Sequence, residues 1–207
     1  MKLYMIIIIL IGYLFTVLIS INNKNYSKKN NINSQYFKII THNYIFAMIY
    51  LFLFIYFFKN IIFNNNDTNI LLEIGKTILY LLFVDFLFYW YHRTVHRNEI
   101  LKKKLHVLHH EYYSIPSDLL YISICELFTT ITLIFIPCLF LNMKFEFFIF
   151  AIILYYIHGL YTHSESTYDI PILVSAKFHE EHHKIGGGNY SIVFPYLDSI
   201  LNTKCKI

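Results

Sequence analysis

The chain has 207 residues, enough for one domain and a sizeable buried volume. Hydrophobic residues make up 57% and charged residues 14%, with a mean hydropathy of +0.48, which excludes an ordinary soluble protein and indicates an integral membrane protein. The net charge of +4 does not suggest nucleic acid, and three cysteines without paired spacing exclude a disulfide framework.

Residues 3–21 form a long apolar run with only Lys2 before it. The run is long for a signal peptide and no small-x-small cleavage site follows, so a retained transmembrane helix is expected. A polar loop rich in Asn and Lys is expected over 22–43, and a second apolar run over 44–63. A short turn follows at 64–67. The third run, 70–91, carries Glu73, Lys76 and Asp85. Glu73 and Lys76 read as residues near the membrane surface. Asp85 lies seven residues before His92 on the same helical face, which suggests a carboxylate that accepts a hydrogen bond from a metal-bound imidazole. Residues 92–117 are polar and basic. Two more apolar runs, 119–141 and 145–161, flank Asn142-Met143-Lys144, and Pro137 is expected to kink the first. The tail from His163 onward is polar.

Basic residues concentrate in three segments: Lys24 to Lys38, Arg93 to Lys104, and Lys177 to Lys206. With five spans these segments share one side, which the positive-inside rule makes the cytosol. The expected fold class is all-α, an integral membrane bundle of about four to five spans with a cytosolic histidine-rich cap. Residues 1–69 read as an N-terminal membrane region and linker, and 70–207 as the catalytic region.

Ten of the eleven histidines fall into clusters. His92 and His96 stand at i and i+4. His106, His109 and His110 form one HxxHH triplet, and His179, His182 and His183 another. His158 and His163 form a looser pair, for which a helix end or a π-bulge is needed to bring both inward. His42 stands apart and reads as a loop or interfacial residue. On a helix, positions i, i+3 and i+4 share one face, so each triplet is expected to converge on one point. Converging imidazoles are poor packing material and good metal ligands. Four or five imidazoles per ion suit a two-metal centre. Imidazole alone does not choose among zinc, copper, iron and nickel. A metal at the mouth of an apolar cavity suits a lipid substrate. Attack on an unactivated C–H bond needs a redox metal, which favours iron. The alternative is a metal-binding membrane protein without catalysis, such as a transporter. A transporter should carry polar residues along several spans toward the midplane, whereas here they cluster at one face.

The order HxxxH, HxxHH, a histidine pair, then HxxHH resembles the sterol desaturase and fatty acid hydroxylase superfamily. The resemblance runs from about Asp85 to Thr203. It rests on Tyr91-His92-Arg93-Thr94-Val95-His96, on His106-Val107-Leu108-His109-His110-Glu111 with Pro116, and on the block from His179 through Asn189-Tyr190 to Asp198 and Thr203. His106 to Pro116 is most similar to the sterol C-4 methyl oxidase branch. Where the family often has His-Pro-x-Glu, this chain has Ser123-Ile124-Cys125-Glu126, keeping only the acid. The aromatic–Asp pair near the end is Leu197-Asp198, and the usual Phe-Gly-Thr ending is Leu201-Asn202-Thr203. The resemblance implies an endoplasmic reticulum enzyme with a histidine-held di-iron centre; nitrogen sites take up zinc readily, so zinc can occupy it in purified material. It implies molecular oxygen, electrons from NAD(P)H through cytochrome b5, and hydroxylation or desaturation of a sterol, fatty acyl or sphingoid substrate. It also implies supporting roles for Asn189 and Asp198 around the ligands.

Overall fold

The computed structural model describes residues 34–63, 69–113 and 115–205. The first apolar run, most of the first basic loop and the turn at 64–67 lie outside these residues. The described chain is all-helical, with α1 Ser34–Ile62, α2 Ile70–Arg97, α3 Ile124–Phe135, α4 Cys138–Leu141, α5 Phe145–Thr162, α6 Ala176–Ile185 and α7 Tyr196–Ile200. Among the described residues, three stretches are long and apolar enough to cross a membrane: Ser34–Ile62, Ile124–Leu141 and Phe145–Thr162. This is the architecture of an integral membrane protein.

Sequence chemistry sets the helix ends. Asn69 caps α2 by accepting from the Leu71 amide, and Ser123 caps α3 by accepting from Glu126. Pro137 separates α3 from α4, as the missing N–H predicts. Asn142 closes α4 in the left-handed region, with φ 42°. Three boundaries differ from expectation. Helix α1 begins ten residues earlier than the apolar run, so residues 34–43 are helical and not loop. Helix α2 continues past Tyr91 to Arg97, so His92 and His96 ride on the same rod as the third apolar run. The run at 119–141 is helical only from Ile124, because 116–120 form a separate 3-10 turn.

Several interior polar side chains are paired, as a low-dielectric environment favours. Glu73 is fully buried within the protein: it accepts from Lys76 and from the Lys144 amide, tying the start of α2 to the start of α5. Tyr36 donates to Asp118, and Asn43 donates to the carbonyls of Leu120 and Ile122. These bonds moor the first third of α1 to the segment after the first histidine triplet. Below them, Ile55, Ile62, Tyr80, Ile131, Phe135 and Phe148 form the main apolar core. Outward faces carry exposed apolar side chains such as Tyr56, Phe57, Ile61 and Leu71, which suits contact with lipid.

Candidate metal centre

The histidines arrive from five places. Helix α2 presents His92 and His96 one turn apart. The chain then leaves regular geometry: Lys102–His106 is a single π-helical turn and His109–Glu111 a 3-10 turn. Only the second triplet lies on a regular helix, α6, which Ser175 caps at its start and Gly186 ends with φ 67°. His163 sits just past the end of α5.

Nine imidazoles gather into two adjoining groups. His92, His96, His106, His110 and His182 form the first, and His109, His163, His179 and His183 the second. Each triplet is therefore divided and does not converge on one point. In both, the residues at i and i+4 stay together while the residue at i+3 crosses to the other group. The two groups touch, with the rings of His110 and His183 4.5 Å apart. His158 belongs to neither. Its position five residues before His163 turns it to another side of α5, where its Nε2 is buried without a protein partner among the described residues. Of the two devices expected for that pair, the helix end is the one that turns His163 inward; the π-turn lies at Lys102–His106.

The facing nitrogens make the case for a cation. The Nε2 atoms of His92 and His106 are 2.9 Å apart, and those of His96 and His110 3.2 Å. In the second group His163 Nε2 lies 3.4 Å from His109 and 3.2 Å from His179, whose Nε2 is 3.1 Å from His183. His92 Nδ1 donates to the Tyr190 carbonyl at 2.8 Å, and His106 Nδ1 to the Glu126 carboxylate at 2.5 Å. A neutral imidazole that donates from Nδ1 has a bare lone pair on Nε2. Two bare lone pairs 2.9 Å apart repel each other, and a shared cation turns that repulsion into coordination. Nitrogens about 2.1 Å from one ion stand about 3 Å from their neighbours, so the residues present fit bound metal.

Electrostatics favours the same state. Burial, with neighbouring imidazoles, pushes His96 down to about 2 and His163 down to about 4, while burial takes His110 down to about 4. The imidazoles are held neutral, which is the form that ligates.

Behind the histidines, Asp85 departs from expectation, while Asp198 and Asn189 hold the surrounding loop. Asp85 accepts no bond from a histidine. Its Oδ1 accepts from the amides of Ile192 and Val193 and so holds the tail against α2. The carboxylate that meets a gathered histidine is Glu126, the acid retained in the Ser123–Glu126 element. The sequence showed that acid but not which histidine it faces. Asp198 accepts from the amides of Tyr190 and Ser191 and from the Thr203 hydroxyl. It thereby fixes the loop whose carbonyls, Gly188 and Tyr190, orient His182 and His92. Asn189, in the left-handed region at φ 54°, donates to the Phe178 carbonyl and accepts from the Cys205 amide, stitching the tail to α6. His42 is exposed on α1, away from both groups.

The fatty acid hydroxylase family model matches residues 77–203, the stretch that contains all nine gathered histidines. The chain belongs to this family. It is 32% identical over 136 residues to a Dictyostelium discoideum protein provisionally named a methylsterol monooxygenase, covering 59% of this chain and 48% of that one. It is 30% identical over 145 residues to methylsterol monooxygenase 2-2 of Arabidopsis thaliana, covering 63% and 53%. A very-long-chain aldehyde decarbonylase of Oryza sativa subsp. indica is 27% identical over 148 residues, covering 63% and 52%. The chain spans about half the length of these curated relatives. No solved structure matches it.

Proposed function

We propose that the chain is a membrane-bound di-iron oxygenase that hydroxylates or desaturates a lipid. The observation that carries this reading is the pair of adjoining imidazole groups whose bare Nε2 atoms face one another. Family membership supports it. Iron held by the two groups supplies the dioxygen activation that breaking an unactivated C–H bond requires. In a hydroxylation, one oxygen atom enters the C–H bond and the other leaves as water, with two electrons and two protons drawn from a donor.

The chain's own residues position that chemistry. Residues 70–207 form the catalytic region. The nine gathered histidines are the ligands. Glu126, the Tyr190 and Gly188 carbonyls and the Gly159 carbonyl fix ring orientation by accepting from Nδ1 of His106, His92, His182 and His163. Asp198 and Asn189 hold the loop that supplies two of those carbonyls. The apolar bundle beneath the groups holds the lipid and keeps water from the reacting carbon.

A sterol is the preferred substrate class, with a fatty acyl or sphingoid chain as the other possibility. Two relatives named methylsterol monooxygenases and the His106 to Pro116 pattern support the sterol. Electrons come from NAD(P)H through cytochrome b5 or a similar donor. The enzyme resides in the endoplasmic reticulum with its histidines toward the cytosol, as the basic segments beside them suggest.

Expression in cells lacking individual sterol and sphingoid oxygenases, followed by lipid mass spectrometry, tests the assignment. A sterol that gains oxygen at a methyl group or loses two hydrogens, absent with His182→Ala, is the expected result. A product confined to fatty acyl or sphingoid chains overturns the sterol preference. No oxygen-dependent change in any lipid class overturns the enzyme reading.

A further inference from the structure

The two imidazole groups are built unequally. Four of the five rings in the first group have a protein partner for Nδ1: His92 with the Tyr190 carbonyl, His106 with Glu126, His110 with the His183 carbonyl at 3.3 Å, and His182 with the Gly188 carbonyl. In the second group only His163 has one, the Gly159 carbonyl at 2.9 Å. No described residue partners Nδ1 of His109, His179 or His183. The first group also has one more imidazole. Among the described carboxylates, Glu126 alone hydrogen-bonds a gathered ring.

These differences act in one direction. A partner on Nδ1 fixes the tautomer and ring angle before metal arrives, so less ordering is left to be done on binding. An anionic partner also makes the opposite nitrogen a stronger donor. Lys102 stands near the first group and opposes a cation there, with its Nζ close to Gly186 and His96. Lys102 is partly exposed and water screens it, whereas Glu126 is 2% exposed and in direct contact with the ring. The carboxylate therefore outweighs the amine.

Resting on the di-iron reading above, we propose that the five-histidine group holds a tight ion and the four-histidine group an exchangeable one. Glu126 is the positioning residue that sets much of the difference. Its carboxylate holds His106 with Nε2 toward the ion and places a compensating charge behind the ring.

The test follows Fe(II) release. Full-length protein in mild detergent, loaded anaerobically with Fe(II), is mixed with excess colorimetric ferrous chelator. Wild type should release two ions in two phases of equal amplitude. Glu126→Gln keeps the shape and an acceptor oxygen but removes the charge. It should speed the slow phase by about 10- to 100-fold and leave the fast phase within twofold. Glu73→Gln, at a buried carboxylate that ties α2 to α5 through Lys76 and the Lys144 amide, is the control for general loosening. Equal acceleration of both phases in both variants overturns the role of Glu126. If Glu126→Gln fails to fold, His183→Ala decides: it should retain one ion, released at the slow wild-type rate. Fast release of that remaining ion overturns the proposal, as does a single phase carrying two ions in wild type. A wild type that takes up no Fe(II) overturns the di-iron reading itself.

Discussion

The two HxxHH triplets share one spacing and differ in backbone. His179, His182 and His183 lie on a regular α-helix, whereas His106, His109 and His110 span a π-turn and a 3-10 turn. Yet both divide in the same way, i with i+4 in one group and i+3 in the other. The outer pair of the first triplet joins the group that receives the middle histidine of the second, and the reverse holds. Each triplet is thus a clamp across both groups. The comparison teaches that the spacing encodes a bridge between two groups of imidazoles more than a face toward one. Their supports differ too. A side-chain carboxylate on α3 backs the first triplet, and the Gly188 carbonyl after α6 backs the second.

The largest expected effect comes from cutting a crossing residue. His109→Ala and His182→Ala should each lower turnover by more than about 100-fold, beyond the range typical of residues behind the ligands. Chain insertion into the membrane should be unchanged. Activity of membrane fractions, with immunoblotting for the inserted chain, checks this. Comparable activity in either variant would break the clamp picture.

Next is the support of the second triplet. Asp198→Asn turns an amide toward the Tyr190 and Ser191 N–H groups, which already donate there. The lost acceptor should cost about 1–3 kcal/mol, read as a lower unfolding temperature in detergent, with activity falling about tenfold. Gly188→Ala acts on the same loop. A Cβ there would stand 2.6 Å from the Thr203 carbonyl oxygen, so the backbone must shift, at about 1–3 kcal/mol. Thermal unfolding of this variant should resemble that of Asp198→Asn, because both loosen one loop.

The smallest effects belong to the histidines outside the groups. His158→Ala should keep the wild-type iron content, since its ring reaches neither group. His42→Ala should keep both iron content and stability, the latter within about 0.5 kcal/mol, as expected for an exposed surface change. A loss of iron in His158→Ala would mean that the boundary of the second group is drawn wrongly.

Much of the fold is legible because apolar runs longer than about 17 residues have few alternatives to a membrane helix. The helical stops at Pro137 and Asn142 follow from residues whose backbone preferences are strong. The histidines that gather were visible as clusters for a comparable reason: no packing argument accounts for so many imidazoles at helical spacing. What remained hidden depends on orientation. Periodicity placed Asp85 on the His92 face but could not show that the tail would reach it first with the Ile192 and Val193 amides. Glu126 stood visible in the altered element, yet nothing local says that α3 would present it to His106. The division of each triplet is hidden as well: the triplet on the regular helix α6 divides just as the one on the π- and 3-10 turns does, so spacing does not say which neighbouring rings each histidine meets. The reach of helix α1 back to Ser34 was masked by its polar residues, which bond to the 116–122 segment and not to lipid.

The central claim is that nine imidazoles hold two ions. Elemental analysis of freshly purified full-length protein in mild detergent tests it most directly. The account predicts about two metal ions per chain, iron or zinc according to preparation, and about one in His183→Ala. One ion or none in the wild-type chain would contradict it.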